Sequence, residues 1–445
     1  MSSDLFTIGS SGLRAARAAL DVTAQNISNA STEGYVRRSL RLGEVASAGG
    51  YARVGDISLS GVRVDGLVRN ADLFRQAEVR RTGADATRAQ TELTAMENIE
   101  AGVEQANIFP AMSTFETSLS QLSSDPTNAS LRAAVLENAR TLTKTFNIAA
   151  QSVDTVGTGL TFDATNGTAQ VNLLATELGR VNLQMTRTAA GTSDQVKLLD
   201  QRDTLLQQIS QYADVSTSVA ADQTVEVRLG GSSGPQLVTG GTVNSLTMTS
   251  AADGTISFTL DGSAVALSGG SLAGQAQGLV AVRDTHANLD TIADALVLAA
   301  NTAQIGGVAL DGTAGQPLFS GSGASGIALA LTSGSQIATA PAGAGASSRD
   351  AANLEALRTA LSSSDISGQI DGLLFGVSSA VAGRKTTSEA LATIASSAKL
   401  SLDQQAGVDL DQEAVNLVRY QQAFQACGKA IQVASDMFDT LLSLK

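Results

Sequence analysis

Residues 410–441 read LDQEAVNLVRYQQAFQACGKAIQVASDMFDTL, with Leu410, Leu417, Phe424, Ile431 and Phe438 standing seven positions apart. Tyr420, Cys427, Ala434 and Leu441 follow three places after the last four of these. An apolar residue every 3.5 positions on a helical background is the pattern of a coiled-coil seam. The start of the chain repeats it. Phe6, Leu13, Leu20 and Ile27 fall in one register, and Gly9, Ala16, Thr23 and Ala30 lie three places after each. Helices of this length are marginal alone in water. The two termini therefore pair with each other or with other copies of the chain.

The 445 residues between and including these seams allow two to four domains, each with its own core. A formal net charge of −13 disfavours nucleic acid and anionic membrane, because phosphate binding needs a basic surface. Aromatic residues make up 3% and tryptophan is absent, so small side chains dominate. Such composition suits close helix packing better than a deep ligand pocket. Cys427 is the single cysteine, which excludes an internal disulfide framework. The opening Met1-Ser2-Ser3-Asp4-Leu5-Phe6 lacks the basic and apolar regions of a cleavable signal, and no window has the apolarity of a membrane span. A soluble chain is expected, without membrane insertion.

The expected fold is mainly α with a small β insertion. A helix runs from Asp4 to about Ala30, ended by the turn-forming Asn29-Ala30-Ser31-Thr32-Glu33-Gly34. Tyr35–Leu42 and Ile57–Val64 alternate apolar and polar residues as short extended pieces. Helical periodicity returns from about Ala71 to Tyr212, with interruptions expected at Asp125-Pro126-Thr127 and Gly157-Thr158-Gly159. From Val215 to about Leu267 the pattern is β: Thr224–Leu229 alternates, and Asp253-Gly254 and Asp261-Gly262 suit tight hairpins. A helix over about 278–303, a Gly/Ser/Ala-rich tract over 306–348, and helices to the end with a break near Gly407 complete the chain. This order predicts a terminal coiled-coil domain (1–35 with 405–445), a long helical bundle rod (36–214 with 268–404), and an outer β domain (215–267) at the tip of the excursion.

Candidate chemistry is sparse. His286 is the only histidine, so no multi-histidine metal cluster can form, and its helical setting between Asp284 and Asp290 suits a surface residue. Cys427 lies on the terminal seam and reads as a packing residue. The glycine-rich Gly230–Gly234 and Gly321–Gly326 lack the Lys-Ser/Thr of a phosphate-binding loop. No catalytic residue, metal or cofactor is expected, and the chain reads as a non-enzyme.

Ser11-Gly12-Leu13-Arg14-Ala15-Ala16, continuing through Ala24-Gln25-Asn26-Ile27-Ser28-Asn29-Ala30 to Gly34-Tyr35, resembles the N-terminal signature of the axial family of bacterial flagellar proteins. Leu198–Leu206 and Val408–Asp411 followed by Asn416–Phe424 are similar to its hook-associated members. The resemblance covers about 1–215 and 350–445. It implies a structural protein that joins hook to filament by self-assembly through its terminal helices, with a hook or distal-rod protein as the alternative. It also implies type III export to the extracellular flagellum without a cleaved signal. The partners implied are copies of the chain itself, hook protein, the next hook-associated protein toward the filament, and a cytoplasmic export chaperone on the C-terminal helix. The assembly residues expected are Phe6, Leu13, Leu20 and Ile27 on one seam, and Leu410, Leu417, Phe424, Ile431 and Phe438 on the other.

Overall fold

The computed structural model describes residues 2–32, 34–47 and 58–443. Helix α1 (Ser2–Ser28) is followed by strands β1 (Arg38–Ser47) and β2 (Ser58–Arg69), which pair antiparallel. Four helices come next: α2 (Leu73–Gln105), α3 (Ile108–Ser124), α4 (Ala129–Met185) and α5 (Ser193–Tyr212). Strands β3 (Val215–Val219), β4 (Val225–Leu229), β5 (Gln236–Thr239) and β6 (Thr242–Val243) form one antiparallel sheet in that order. Strands β7 (Leu246–Ser250), β8 (Ile256–Leu260) and β9 (Ser263–Val265) form another. Helix α6 (Gly270–Ile305) leads into a tract of two-residue strands, β10 (Gly307–Val308), β11 (Phe319–Ser320), β12 (Ala328–Leu329) and β13 (Ala340–Pro341). The short helix α7 (Gly323–Gly326) lies within it. Helices α8 (Ala352–Ser363), α9 (Ile366–Ala406) and α10 (Leu410–Ser443) follow, and the described residues are 66% helical.

Several sequence expectations meet their structural counterparts here. The break at Asp125-Pro126-Thr127 separates α3 from α4, where proline cannot continue a helix, and Gly407 separates α9 from α10. Asp261 and Gly262 both have positive φ, 47° and 80°, and join β8 to β9 in the tight hairpin their types favour. The extended piece ending at Val64 lies in β2, its first residue, Ile57, being outside the described residues.

One expectation is corrected. Helix α4 runs unbroken through Gly157-Thr158-Gly159. Gly157 serves packing instead: a β-carbon there would lie 3.1 Å from Val282 Cγ1 on α6. Thr158 and Thr161 return their hydroxyls to the carbonyls of Asp154 and Gly157, so the helix absorbs its threonines.

Packing divides the chain into two units, Met1–Ala84 with Gln170–Leu246 and Ala392–Lys445, and Asp85–Ala169 with Thr247–Leu391. These cut the sequence differently from the three segments its patterning suggests. The strands over 215–267 build two sheets, and each belongs with the helix it packs on. In the first unit Asn182 of α4, 1% exposed, receives Val225 N and donates to the carbonyls of Val225 and Gly240, pinning β4 and the β5–β6 turn. In the second, β8 lies against α6, with Phe258 and Leu260 buried.

The second unit holds the large apolar core. Ile99, Met112, Phe115, Leu119, Leu142, Phe146, Leu296 and Leu354 are fully enclosed in it, and Phe115 meets Phe319 edge-on at 6.1 Å. The Gly/Ser/Ala tract is anchored there by Arg132, 1% exposed. Its guanidinium donates to the carbonyls of Pro126, Gly334 and Ile337 and to Thr339 Oγ1, and burial pushes its pKa down. Local turn chemistry closes the tract, with Ser333 and Gln336 forming a reciprocal cap.

Candidate functional site

The first unit brings the two ends of the chain together. A β-carbon placed on Gly9 would lie 2.8 Å from Ile431 Cγ1, and one on Gly12 would lie 2.7 Å from Cys427 Sγ. Near the other end of α1, Asn26 Nδ2 donates to Glu413 Oε2 at 3.3 Å. Rising numbers on α1 meet falling numbers on α10, so the helices are antiparallel, and only glycine permits the approach at positions 9 and 12. Ala16, Thr23 and Ala434 are buried at the expected companion positions, and Cys427 is half-buried against α1.

The larger seam residues fare differently. Leu13, Leu20, Ile27, Leu417, Phe424 and Ile431 are half-buried. Phe6 is 52% exposed, Leu410 53% and Phe438 54%. The small residues thus make the closest contact, and the bulky ones flank it with apolar surface left over. Leu5, Ile8, Val415, Val418, Val433 and Met437 add to that exposed surface on the same two helices. The side chain of Leu441 lies outside the described residues.

Beneath the pair sits a polar anchor that patterning alone did not pick out. Asn26 is 1% exposed and all its amide atoms are engaged. Its Oδ1 accepts from Arg38 N at 3.0 Å and Tyr35 Oη at 2.9 Å, and its Nδ2 donates to Arg38 O as well as to Glu413. It therefore completes the start of β1 as a strand neighbour would. Glu413, also 1% exposed, accepts from Arg37 Nε at 2.7 Å. Glu413 stands in the first turn of α10, where the helix dipole favours an anion, and Asp409 caps that turn by accepting from Asp411 N and Gln412 N.

A second ionic cluster fixes β1 and β2 to α5. Asp200 Oδ2 accepts from Arg38 Nη2 at 2.6 Å, and Arg69 Nε lies 2.9 Å from Asp200 Oδ1 but off the line of a hydrogen bond. Asp203 accepts from Arg202 on one oxygen and from Arg69 and Gln76 on the other. Burial pushes Asp203 up, but Arg202 and Arg69 together overcome it and hold the carboxyl below its ordinary value. For Asp200 burial wins over Arg69 and Arg38, and its pKa is raised. Tyr35, under the Arg38 guanidinium at 4.7 Å, is pushed up chiefly by burial.

Of these anchor residues, Asn26, Tyr35, Asp200, Arg202 and Asp203 lie inside the stretches quoted above for their family resemblance and Glu413 lies just after Val408–Asp411, whereas Arg37, Arg38, Arg69 and Gln76 lie outside them. No local pattern marks these residues: Asn26 lies near the end of α1 beside Gln25 and Glu413 in the first turn of α10 beside Gln412, and only partners distant in sequence bury them. His286 sits elsewhere, in the second unit, with Nδ1 3.1 Å from Asp290 Oδ2 and Nε2 3.5 Å from Asp154 Oδ1. Among the described residues no group of His, Cys, Asp and Glu could hold a metal ion, and no helix is long and apolar enough to cross a membrane.

Residues 93–319 match the family described as the flagellar hook-associated protein FlgK helical domain, about half of the chain. The chain belongs to the flagellar hook-associated protein FlgK family. Members of that family are structural components of the flagellum. Residues 6–35 match the flagella basal body rod protein family, and 403–444 match the C-terminal family of flagellar basal body rod FlgEFG proteins. Flagellar hook-associated protein 1 of Bacillus subtilis is 24% identical over 97% of this chain and 96% of the relative. The protein of that name from Escherichia coli is 29% identical over 71% of this chain and 60% of the relative. That from Salmonella typhimurium is 29% identical over 55% of this chain and 44% of the relative, so the chain spans about half the length of these last two. The flagellar hook junction protein FlgK of Burkholderia pseudomallei, a solved structure, is 22% identical with a TM-score of 0.49, over 55% of this chain and 46% of that one.

Proposed function

We propose that this protein joins the flagellar hook to the filament by self-assembly through α1 and α10. The observation that carries the reading is the apolar surface left on that pair: Leu5, Phe6 and Ile8 on α1, and Val415, Val418, Met437 and Phe438 on α10, are all at least 40% exposed. Large apolar residues exposed at both ends of one helix pair mark an interaction surface, and neighbouring copies would bury it. Phe6, Leu13, Leu20, Ile27, Leu410, Leu417, Phe424, Ile431 and Phe438 then act in two ways, closing the intrachain pair and presenting their remaining surface to adjoining subunits as a coiled-coil layer. The terminal segments 1–35 and 405–445 form the assembly domain, 36–214 with 268–404 the middle layer, and 215–267 the outward-facing part. Export to the cell exterior is by the flagellar type III route, with a chaperone covering α10 before export, and hook protein and the next hook-associated protein are the axial neighbours. The chain carries no catalysis of its own.

A hook or distal-rod protein is the second reading, favoured by the matches of both termini to basal body rod families. A deletion strain separates them. Loss of a junction protein leaves hooks without filaments, whereas loss of a hook or rod protein leaves no hooks; hookless cells would overturn the junction reading.

A further inference from the structure

Two segments of the second unit carry acid and no base. No lysine, arginine or histidine occurs between Arg88 and Arg132, or between Arg358 and Arg384, whereas Glu97, Glu100, Glu104, Glu116, Asp365 and Asp371 stand in these stretches. Where the two meet, a depression of about 230 Å³ opens between α2, α3 and α9. Its floor is the edge of the apolar core, with Val103, Ile108, Phe146 and Ile370 at most 3% exposed.

Its walls are open to solvent. Phe109 is 40% exposed, Pro110 is exposed, and Leu373 and Leu374 are half-buried. Asn107, at φ 57°, turns the chain from α2 into α3 and so brings Phe109 and Pro110 to the mouth. The charged residues lining the depression are Glu104 of α2 and Asp371 of α9, both exposed, and no basic residue lines it. The site is therefore an apolar hollow between two carboxylates. Its volume is below the range of about 300–1,000 Å³ usual for small-molecule pockets, and suits a single anchoring side chain. A second copy is a poor occupant, because it brings a net charge of −13 to an acidic rim.

We propose that this depression docks a segment of another protein that presents one aromatic or large aliphatic side chain flanked by lysine or arginine. The apolar anchor covers Phe109, Pro110, Leu373 and Leu374, and the flanking cations meet Glu104 and Asp371. The apolar contact supplies most of the affinity, and the charges decide which segments are accepted. The inference does not rest on the assembly reading, because every residue it uses lies in the second unit.

The test is fluorine NMR of an acetylated, amidated Lys-Phe-Lys peptide carrying 4-fluorophenylalanine, titrated with the full chain. Glu-Phe-Glu with the same label is the second arm, and unlabelled Lys-Gly-Lys, used as a competitor, is the third. Lys-Phe-Lys should bind, Glu-Phe-Glu should not, and Lys-Gly-Lys should fail to displace the label. Glu104 and Asp371 are exposed, so Glu104→Gln with Asp371→Asn leaves the fold intact and should weaken Lys-Phe-Lys about threefold to tenfold. Phe109→Ala should weaken it about fivefold. Equal binding of the two labelled peptides, displacement by Lys-Gly-Lys, or unchanged affinity in the doubly neutralised variant overturns the proposal, even if Phe109→Ala fails to fold. Self-association of the full chain that the same double neutralisation strengthens would make the occupant a second copy, and overturns it too.

Discussion

Replacing Glu413 with glutamine tests whether the first turn of α10 is held to α1 and β1 by charge. The substitution keeps the side chain's volume and an oxygen for Asn26, and removes the anion that faces Arg37 Nε at 2.7 Å. Breaking a fully buried pair costs about 3–5 kcal/mol, and an exposed pair contributes about 0–1 kcal/mol. Glu413 belongs to the first case, but the Arg37 side chain is 24% exposed and recovers some hydration, so the expected loss is about 1–2 kcal/mol. That corresponds to roughly a 5- to 30-fold rise in local opening. Amide hydrogen exchange around Asn26 and through the first turns of α10 should accelerate by this factor, while the second unit keeps its protection. A double-mutant cycle with Arg37→Met should return a coupling energy of the same size. The exposed Glu177–Arg180 pair supplies the control, and Glu177→Gln should leave exchange unchanged. Zero coupling in the cycle, or equal acceleration by the control, would refute the anchor.

Gly9→Val should force α1 from α10, since even its β-carbon would stand 2.8 Å from Ile431 Cγ1; thermal unfolding should register a loss of about 1–3 kcal/mol. Gly428→Ala, where nothing lies within 4 Å, should instead stabilise α10 by about 0.5–1 kcal/mol. Arg132→Met leaves the carbonyls of Pro126 and Ile337 without their donor, and urea denaturation should show the second unit weakened by about 2–4 kcal/mol. The acid limb of stability should depend on two neighbours with opposite signs. Asp203 has a folded pKa below its unfolded value, so its contribution is complete above the unfolded value of about 3.9 and is lost as pH falls through the folded one. Asp200 has a raised folded pKa, so its protonation favours the folded state as pH falls through that value. Asp203→Asn should flatten the acid limb and Asp200→Asn should steepen it; identical limbs would contradict the assignment.

Where local chemistry alone decides structure, the sequence was readable. Proline at 126, the Asp261-Gly262 pair and the helical pattern at both ends each act through their own backbone or periodicity, and each has its structural counterpart in a helix break, a hairpin and the helices α1 and α10. Gly157-Thr158-Gly159 was misread because a glycine can mark either a break or a close approach, and only the position of Val282 distinguishes them. The β character of 215–267 was legible, and within it the alternation of Thr224–Leu229, which contains β4. The division of its strands into two sheets rests on Asn182 and on α6, partners distant in sequence. The anchor was hidden for the same reason: Asn26 meets Glu413 across 387 residues, Arg38 meets Asp200 across 162, and Arg69 meets Asp203 across 134. The seam residues were visible as a row, but the row did not say which members close the pair and which stay exposed.

The assembly role is tested most directly by putting Phe424→Asp and Ile431→Asp together in the chain and imaging flagella on the cells that carry it. Both side chains are half-buried on the face of α10 toward α1; truncating a fully buried Phe or Ile costs about 2–5 kcal/mol, so each loses part of that here, and a carboxylate set against α1 adds to it. Gln422→Asp and Lys429→Asp, at exposed positions on the same helix, serve as matched controls. The account predicts that the double variant is made and exported, accumulates in the medium with shed filament protein, and leaves cells with hooks but no filaments, while both controls keep theirs. Normal filaments on cells carrying the double variant would contradict it.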